Sequence, residues 1–105
     1  MGIEKLVRIP ETDVGTSDTD LLNVPEGYEL VLRYLELRNT TTSDVVVELE
    51  DHDGTAYYTV KSIPVKAGTD VVLTEEELRG VRFFRKFAAK ASASGVKLSA
   101  VVEVR

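Results

Sequence analysis

The sequence predicts an all-β protein, an antiparallel β-sandwich of jelly-roll-like or immunoglobulin-like type with seven or eight strands. Short apolar runs alternate with turn residues along the chain. Residues 96–104 alternate apolar and polar side chains in the pattern of a half-buried strand. The 105 residues suffice for one domain with one core. We therefore expect a single domain over 1–105, in which residues 1–20 form an N-terminal strand and a polar loop that could serve as an assembly arm.

The N-terminal part of the chain predicts a strand at 3–9, a polar loop at 10–20 and a short apolar run at 21–24. A long strand follows at 28–37 (YELVLRYLEL), and its apolar side chains fall on both faces. That pattern indicates either a central strand covered on both sides or a bulge that shifts the phase of the alternation.

The middle of the chain predicts a hairpin and a short strand. Residues 45–50 alternate valine and leucine with glutamate, as a half-buried strand does. An aspartate–glycine pair at 53–54 predicts a tight turn, because glycine accepts the positive φ that such turns require. The chain then returns over 55–63, and a second connection leads to a short buried strand at 71–73.

The segment 74–90 (TEEELRGVRFFRKFAAK) fits two structures. As a helix it would begin with a Thr-x-x-Glu capping box and carry cations along one face. Gly80 argues against a long helix, because glycine in a helix interior costs about 1 kcal/mol relative to alanine. We predict one short helical turn near 75–79, followed by a strand from 82 to about 91 that pairs with the last strand. The helix remains the alternative.

The composition excludes several kinds of site. The chain has no cysteine, which excludes disulfides, thiolate metal sites and a cysteine nucleophile. No apolar run approaches the roughly 20 residues of a membrane helix, and we expect no secretory signal because the first residues lack an apolar segment. The absence of glutamine and a charged fraction of 30% resemble the residue usage of thermophiles.

Charge is distributed unevenly along the chain. The net charge of −5 argues against a general nucleic-acid binder. Residues 79–105 hold seven cations and one acid, whereas residues 1–78 hold six cations and 17 acids. Such asymmetry predicts an electrostatic partner, which could be another copy of the same chain.

Two groups of polar residues are candidates for a metal-binding or acid–base site. His52 lies between two aspartates, but successive strand residues point to opposite faces, so a solvated hairpin tip is favoured. Asp13, Asp18 and Asp20 could gather oxygens for calcium, but their spacing matches neither an EF-hand loop nor a calcium-binding glycine repeat. No nucleophile or phosphate-loop motif occurs. We therefore predict no catalytic residue, no metal and no cofactor, and do not expect an enzyme.

Five short motifs follow one another through the chain. They are a Val-Pro-x-Gly turn, a strand ending in Asn-Thr, an Asp-Gly hairpin, an Ile-Pro-Val-x-Ala-Gly-Thr connection and a Ser-x-Ser-Gly turn, at 24–27, 39–40, 53–54, 63–69 and 92–95. In this order they resemble small β-sandwich virion structural proteins of tailed phages and related archaeal viruses, namely head decoration, head-fibre and tail accessory modules. The resemblance covers roughly residues 21–105 and implies a structural protein of the virion that acts through assembly.

The expected function is thus capsid decoration or a tail-associated role. The expected partners are copies of the chain and a major capsid or tail protein, with no membrane. The interface is predicted to join a basic row on one copy to an acidic face on the next, with charge complementarity setting register. The predicted residues are Arg82, Arg85, Lys86 and Lys90 on one side and Glu48, Glu50, Asp51 and Asp53 on the other.

Two alternatives stay open at this stage. The first is a carbohydrate- or ligand-binding sandwich that uses Tyr57 and Tyr58 with the neighbouring cations to hold a surface glycan. The second is a nucleic-acid-associated protein that uses the basic 79–90 segment as a helix, with binding that weakens as salt rises.

Overall fold

The computed structural model describes residues 5–105, and in that range it contains nine β-strands and no helix. The strands are β1 (Lys5–Val14), β2 (Thr19–Asn23), β3 (Leu30–Asn39), β4 (Val45–His52), β5 (Tyr57–Val65), β6 (Asp70–Leu73), β7 (Arg82–Phe83), β8 (Lys86–Ala91) and β9 (Val96–Val104). The all-β prediction is confirmed. The predicted seven or eight strands become nine because the segment expected as one strand from 82 to 91 is two. The predicted strand start at residue 3 lies outside the described residues.

The strands form two antiparallel sheets that pack as a sandwich. Sheet A has the order β1-β9-β3-β6, with the short β7 also paired to β3. Sheet B has the order β2-β8-β4-β5. One end of the sandwich is made by the β2–β3 connection, the β4–β5 hairpin and the β7–β8 crossing. The four connections β1–β2, β3–β4, β5–β6 and β8–β9 lie at the other end.

The core lies between the sheets and is built from alternate strand residues. In β9 the inward residues Leu98, Ala100 and Val102 are buried, as the alternation predicts. In β3 the pairing with β9 shifts between Leu32 and Tyr34, which leaves Arg33 as a bulge. The bulge is one of the two explanations expected for the apolar residues on both faces of this strand.

The N-terminal loop is shorter than predicted. β1 continues along β9 as far as Val14, and β2 begins at Thr19, so the connection spans only 15–18. The register of β1 shifts between Ile9 and Thr12, around Pro10. Proline has no N–H to donate to a ladder, and a bulge on an edge strand accommodates it.

The predicted helical turn near 75–79 is wrong: the described chain makes hydrogen-bonded turns there. The capping contact forms, since Glu77 Oε1 accepts from Thr74 N at 3.2 Å and from Thr74 Oγ1 at 2.6 Å. One backbone hydrogen bond of the α-helical type follows, from Leu78 N to Thr74 O at 3.0 Å, and no second bond of this type continues it in the described turn. Gly80 then takes a φ of +85°, outside the helical region, while Leu78 is buried in the core.

The expected pairing of the last two long strands is also wrong. β9 lies between β1 and β3 in sheet A, whereas β8 lies between β2 and β4 in sheet B. Residues 84–85 carry the chain from one sheet to the other. Phe83 and Phe87 therefore reach the core from opposite sides, and their rings stack with centroids 4.4 Å apart. This burial of two phenylalanines explains why one continuous strand does not form.

Candidate assembly surface

The four predicted cations do not form one row. Arg82 belongs to β7 in sheet A, Arg85 lies in the crossing, and Lys86 and Lys90 lie on β8 in sheet B. The structure brings the predicted acidic residues close to them within the same chain, because β4 is the neighbour of β8.

Asp51 holds the crossing in place. Its carboxylate accepts hydrogen bonds from the backbone N–H groups of Phe84 at 2.7 Å, Arg85 at 3.1 Å and Lys86 at 2.8 Å. The hydroxyl of Tyr58 donates to the same carboxylate at 3.2 Å. Burial disfavours the charged form, but the N–H donors outweigh it and hold the pKa of Asp51 below its usual value. Asp51 is fully buried, so its role in this chain is internal.

Glu50 is the second buried acid of β4. Its Oε2 lies 3.9 Å from Lys90 Nζ, and its Oε1 has no hydrogen-bond donor among the described residues. Its neighbour on the β1–β2 connection is another acid, Asp18, with which a protonated Glu50 can share a hydrogen bond. Burial and Asp18 together raise the pKa of Glu50 to about 7. Glu48, on the outer face, lies 3.7 Å from the same Lys90 nitrogen.

Lys86 belongs to a network that the sequence did not indicate. Its Nζ lies 3.0 Å from Asp20 Oδ2, and the hydroxyl of Tyr57 donates to Asp20 Oδ1 at 2.7 Å. The hydrogen bonds from Tyr57 and Lys86 lower the pKa of Asp20, and Asp20 in turn raises the pKa of Lys86. The ammonium also lies 5.6 Å from the centroid of the Tyr57 ring. Asp20 was considered only as a calcium ligand, and only the pairing of β2 with β8 reveals this role.

The remaining predicted residues lie at one end of the sandwich. Arg82 Nη1 pairs with Glu29 Oε1 at 3.0 Å. Asp53 Oδ1 accepts from the N–H groups of Thr55 and Ala56 at 2.7 and 2.8 Å, which closes the β4–β5 hairpin. Arg85 is exposed and has no carboxylate at ion-pair distance in the described part of the chain.

Three aromatic side chains are exposed at this same end. Phe84 is 59% exposed, Tyr28 53% and Tyr58 44%. Arg82 and Arg85 lie at the same end, since Phe84 and Tyr58 share Asp51 and Tyr28 precedes the Glu29 that pairs with Arg82. We call these five residues the aromatic–arginine end. The sequence signal for Phe84 was weak, because its exposure depends on the crossing at 84–85.

The two candidate chemical sites do not assemble. Asp13 pairs with Lys97 at 2.7 Å, Asp20 with Lys86, and the Nδ1 atom of His52 accepts from Gly54 N at 3.0 Å within the hairpin. Within residues 5–105 there is no group of three or more histidine or acidic side chains placed to hold a metal ion. The same range has no helix long and apolar enough to cross a membrane.

Comparison with known proteins identifies the fold. No protein-family model and no curated protein matches the chain. A subunit of Bacillus endospore appendages, a family of disulfide-linked pili, superposes with a TM-score of 0.55 at 13% identity, covering 97% of this chain and 85% of that one. A pentameric capsid protein from metagenomic phage sequences matches with a TM-score of 0.43 at 16% identity, over 90% of this chain and 63% of that one. A protein of the IBDV viral particle matches with a TM-score of 0.43 at 15% identity, over 96% of this chain and 30% of that one. These neighbours are structural proteins of pili and capsids, and the likeness to the pilus subunit places this chain in the same β-sandwich fold.

Proposed function

We propose that this chain is a non-enzymatic structural subunit of a virion, a capsid decoration or tail-associated module that works by protein–protein assembly. Its partners are copies of itself and a major capsid or tail protein. Its location is the assembled particle, which forms in the host cytoplasm. The aromatic–arginine end is its contact surface.

The observation that carries this proposal is the composition of the aromatic–arginine end. Phe84 is 59% exposed on a rigid crossing, with the exposed Arg85 beside it. Aromatic and arginine side chains dominate the binding energy of protein interfaces, and charged lysine and glutamate side chains contribute less. The hydrogen bonds from Asp51 keep Phe84 and Arg85 in place, so little conformational freedom is lost when a partner binds.

The order of the strands supports the structural role. The sheets β1-β9-β3-β6 and β2-β8-β4-β5 have the arrangement expected of a jelly roll made from two Greek keys. Jelly rolls occur in viral capsid domains and also in lectins, so the fold is compatible with assembly without requiring it.

Two observations favour assembly over the alternatives. Tyr57 and Tyr58 do not form one platform for a sugar, since as successive residues of β5 they point to opposite faces and their hydroxyls donate to Asp20 and Asp51. The cations expected to meet nucleic acid are largely neutralised within the chain, because Lys86 and Lys90 pair with acids of their own sheet. A phosphate backbone would have to compete with these acids.

The oligomeric state tests the proposal. Native mass spectrometry and sedimentation velocity of the unmodified chain should give an oligomer whose fraction rises with concentration. Phe84→Asp should raise the dissociation constant by about tenfold or more, because it places a charge in the centre of the contact. Arg85→Glu should also weaken the oligomer, since it reverses the exposed charge next to Phe84.

Val46→Asp is the matched control. Val46 is an exposed valine on the outer face of sheet B, far from the aromatic–arginine end, so its substitution should leave assembly unchanged. A chain that stays monomeric at high concentration, or a Phe84→Asp variant that assembles like the unmodified chain, would contradict the proposal.

A further inference from the structure

The outer face of sheet A contains a groove that the fold itself does not explain. The groove has a volume of about 790 Å³ and runs over β1, β9 and β3. Its floor is apolar, with Leu6, Tyr34 and Val101 facing outward. Leu6, the second residue of β1, is 67% exposed and Tyr34 is 36% exposed, so the groove presents a patch of apolar surface. The hydrophobic core lies on the opposite face of the sheet, so these side chains do not belong to it.

The rim of the groove carries carboxylates. Its charged lining residues are Glu11, Glu36 and Glu75 together with Arg8 and Arg33. The exposed Glu75 lies 3.9 Å from Arg33. Among the described residues, Glu36 Oε1 accepts one long hydrogen bond of 3.4 Å from Ser99. The strong partner of Arg33 is the buried Glu103, so its charge is already balanced inside the chain. The lining therefore carries only a small excess of negative charge, three glutamates against two arginines, beside an apolar floor. We call this surface, formed by Leu6, Tyr34, Glu36, Glu75 and Val101, the sheet A groove.

The sheet A groove and the aromatic–arginine end are complementary in two respects. One offers an apolar hollow, and the other offers the projecting ring of Phe84. One carries an excess of glutamates, and the other carries Arg85, which has no ion pair among the described residues, next to that ring. Opposite charges around a buried apolar contact set the register and speed the encounter of two surfaces.

We infer that the sheet A groove of one copy receives the aromatic–arginine end of a second copy. This inference rests on the proposed function, because it names the partner of the surface assigned there. Phe84 of the second copy packs against Leu6 and Tyr34, and Arg85 faces Glu36.

The contact is heterologous, because the two surfaces are different parts of one chain. Every bound copy keeps a free groove or a free end, and further copies add until the arrangement closes. The assembly is therefore a ring if the rotation between copies closes and a filament if it does not. A symmetric dimer as the final state is inconsistent with this geometry.

Complementation between two variants tests the inference. Leu6→Asp blocks the groove and keeps the end intact, whereas Phe84→Asp blocks the end and keeps the groove intact. Leu6 and Phe84 are both exposed, so neither change should disturb folding, which circular dichroism checks. Each variant alone should be monomeric where the unmodified chain is oligomeric. An equimolar mixture should give a complex of two chains and nothing larger in native mass spectrometry.

The outcomes separate the two proposals. If Phe84→Asp abolishes assembly while Leu6→Asp assembles like the unmodified chain, the groove is not the receiving surface and only this inference is overturned. If both variants are monomeric and their mixture stays monomeric, the inferred contact between the sheet A groove and the aromatic–arginine end is overturned. If Phe84→Asp still assembles, the proposed function itself fails.

Charge exchange provides an independent measurement. Glu36→Lys should weaken assembly, and so should Arg85→Glu. A chain carrying both changes should recover at least part of the lost affinity, since each contact then again joins opposite charges. Losses that simply add in the double variant would count against the assigned pairing of Glu36 with Arg85.

Discussion

Replacement of Glu50 by glutamine should remove a pH dependence from the stability of this protein. Glu50 is 2% exposed, and its Oε1 has no donor among the described residues. Burial and the neighbouring Asp18 raise its pKa from 4.5 to about 7. The folded state therefore binds this proton more tightly than the unfolded state does.

The sign and size of the effect follow from this difference. A carboxyl group with a raised pKa favours folding fully below its unfolded pKa, so the contribution of Glu50 to stability is greatest below about pH 4.5 and falls as pH rises to about 7. Since a pKa shift of one unit corresponds to about 1.4 kcal/mol, the free energy of unfolding decreases by up to about 3 kcal/mol over this range. Glutamine has no charged form and can still donate a hydrogen bond to Asp18. Glu50→Gln should thus be up to about 3 kcal/mol more stable than the unmodified chain at pH 8 and similar to it at pH 5.

Urea unfolding between pH 5 and pH 8, followed by far-UV circular dichroism, measures this difference. The range avoids the acidic region in which Asp51 and Asp20 lose the stabilisation that their lowered pKa values reflect. Glu48→Gln is the control, because Glu48 approaches the same lysine from a partly exposed position and should change stability by less than about 1 kcal/mol. A Glu50→Gln variant that keeps the slope of the unmodified chain with pH would refute the reasoning.

Two further substitutions test the fold around the candidate surface. Asp51→Asn should destabilise the chain by about 2–4 kcal/mol in urea unfolding, because the amide replaces a charged acceptor of four backbone N–H groups; loss of less than about 1 kcal/mol would contradict this role. Gly95→Ala should destabilise by about 1–3 kcal/mol, since Gly95 has a φ of +104° and an added Cβ would lie 2.5 Å from Thr41 Cγ2. Thr41→Ser in the same chain should recover only part of this loss in thermal unfolding, because it removes the contact and leaves the backbone strain.

The sequence could predict those elements in which apolar and polar side chains recur with one regular spacing. β9 follows its alternation without interruption, and the bulge in β3 was one of two explanations offered by its doubled apolar pattern. The end of the helical turn at Gly80 is also a local property of the chain. The crossing at 84–85 is not local, because it depends on a carboxylate located 33 to 35 residues earlier in the sequence.

The charge distribution illustrates the same limit. The acidic first part and the basic last part of the chain predicted an external electrostatic partner. The fold instead places strands from the two parts side by side, so Asp13 meets Lys97, Asp20 meets Lys86 and Glu48 meets Lys90. Separation along a sequence therefore need not become separation on a surface. Arg85 is among the cations left without an ion pair in the described part of the chain, and we propose it for a partner because of its exposed aromatic neighbours and not because of the charge count.

The pairing of β1 with β9 also has a consequence for folding during translation. Lys5 lies opposite Val104, so the first described strand has no partner until the last has left the ribosome. Until then β1 presents an unpaired strand edge, of the kind that promotes mispairing during translation. The pairings of β9 with β1 and β3 must therefore form after synthesis of the domain, whereas β3 can pair with β6 earlier. Folding dominated by such distant pairings is slow, in the millisecond-to-second range for small β-proteins.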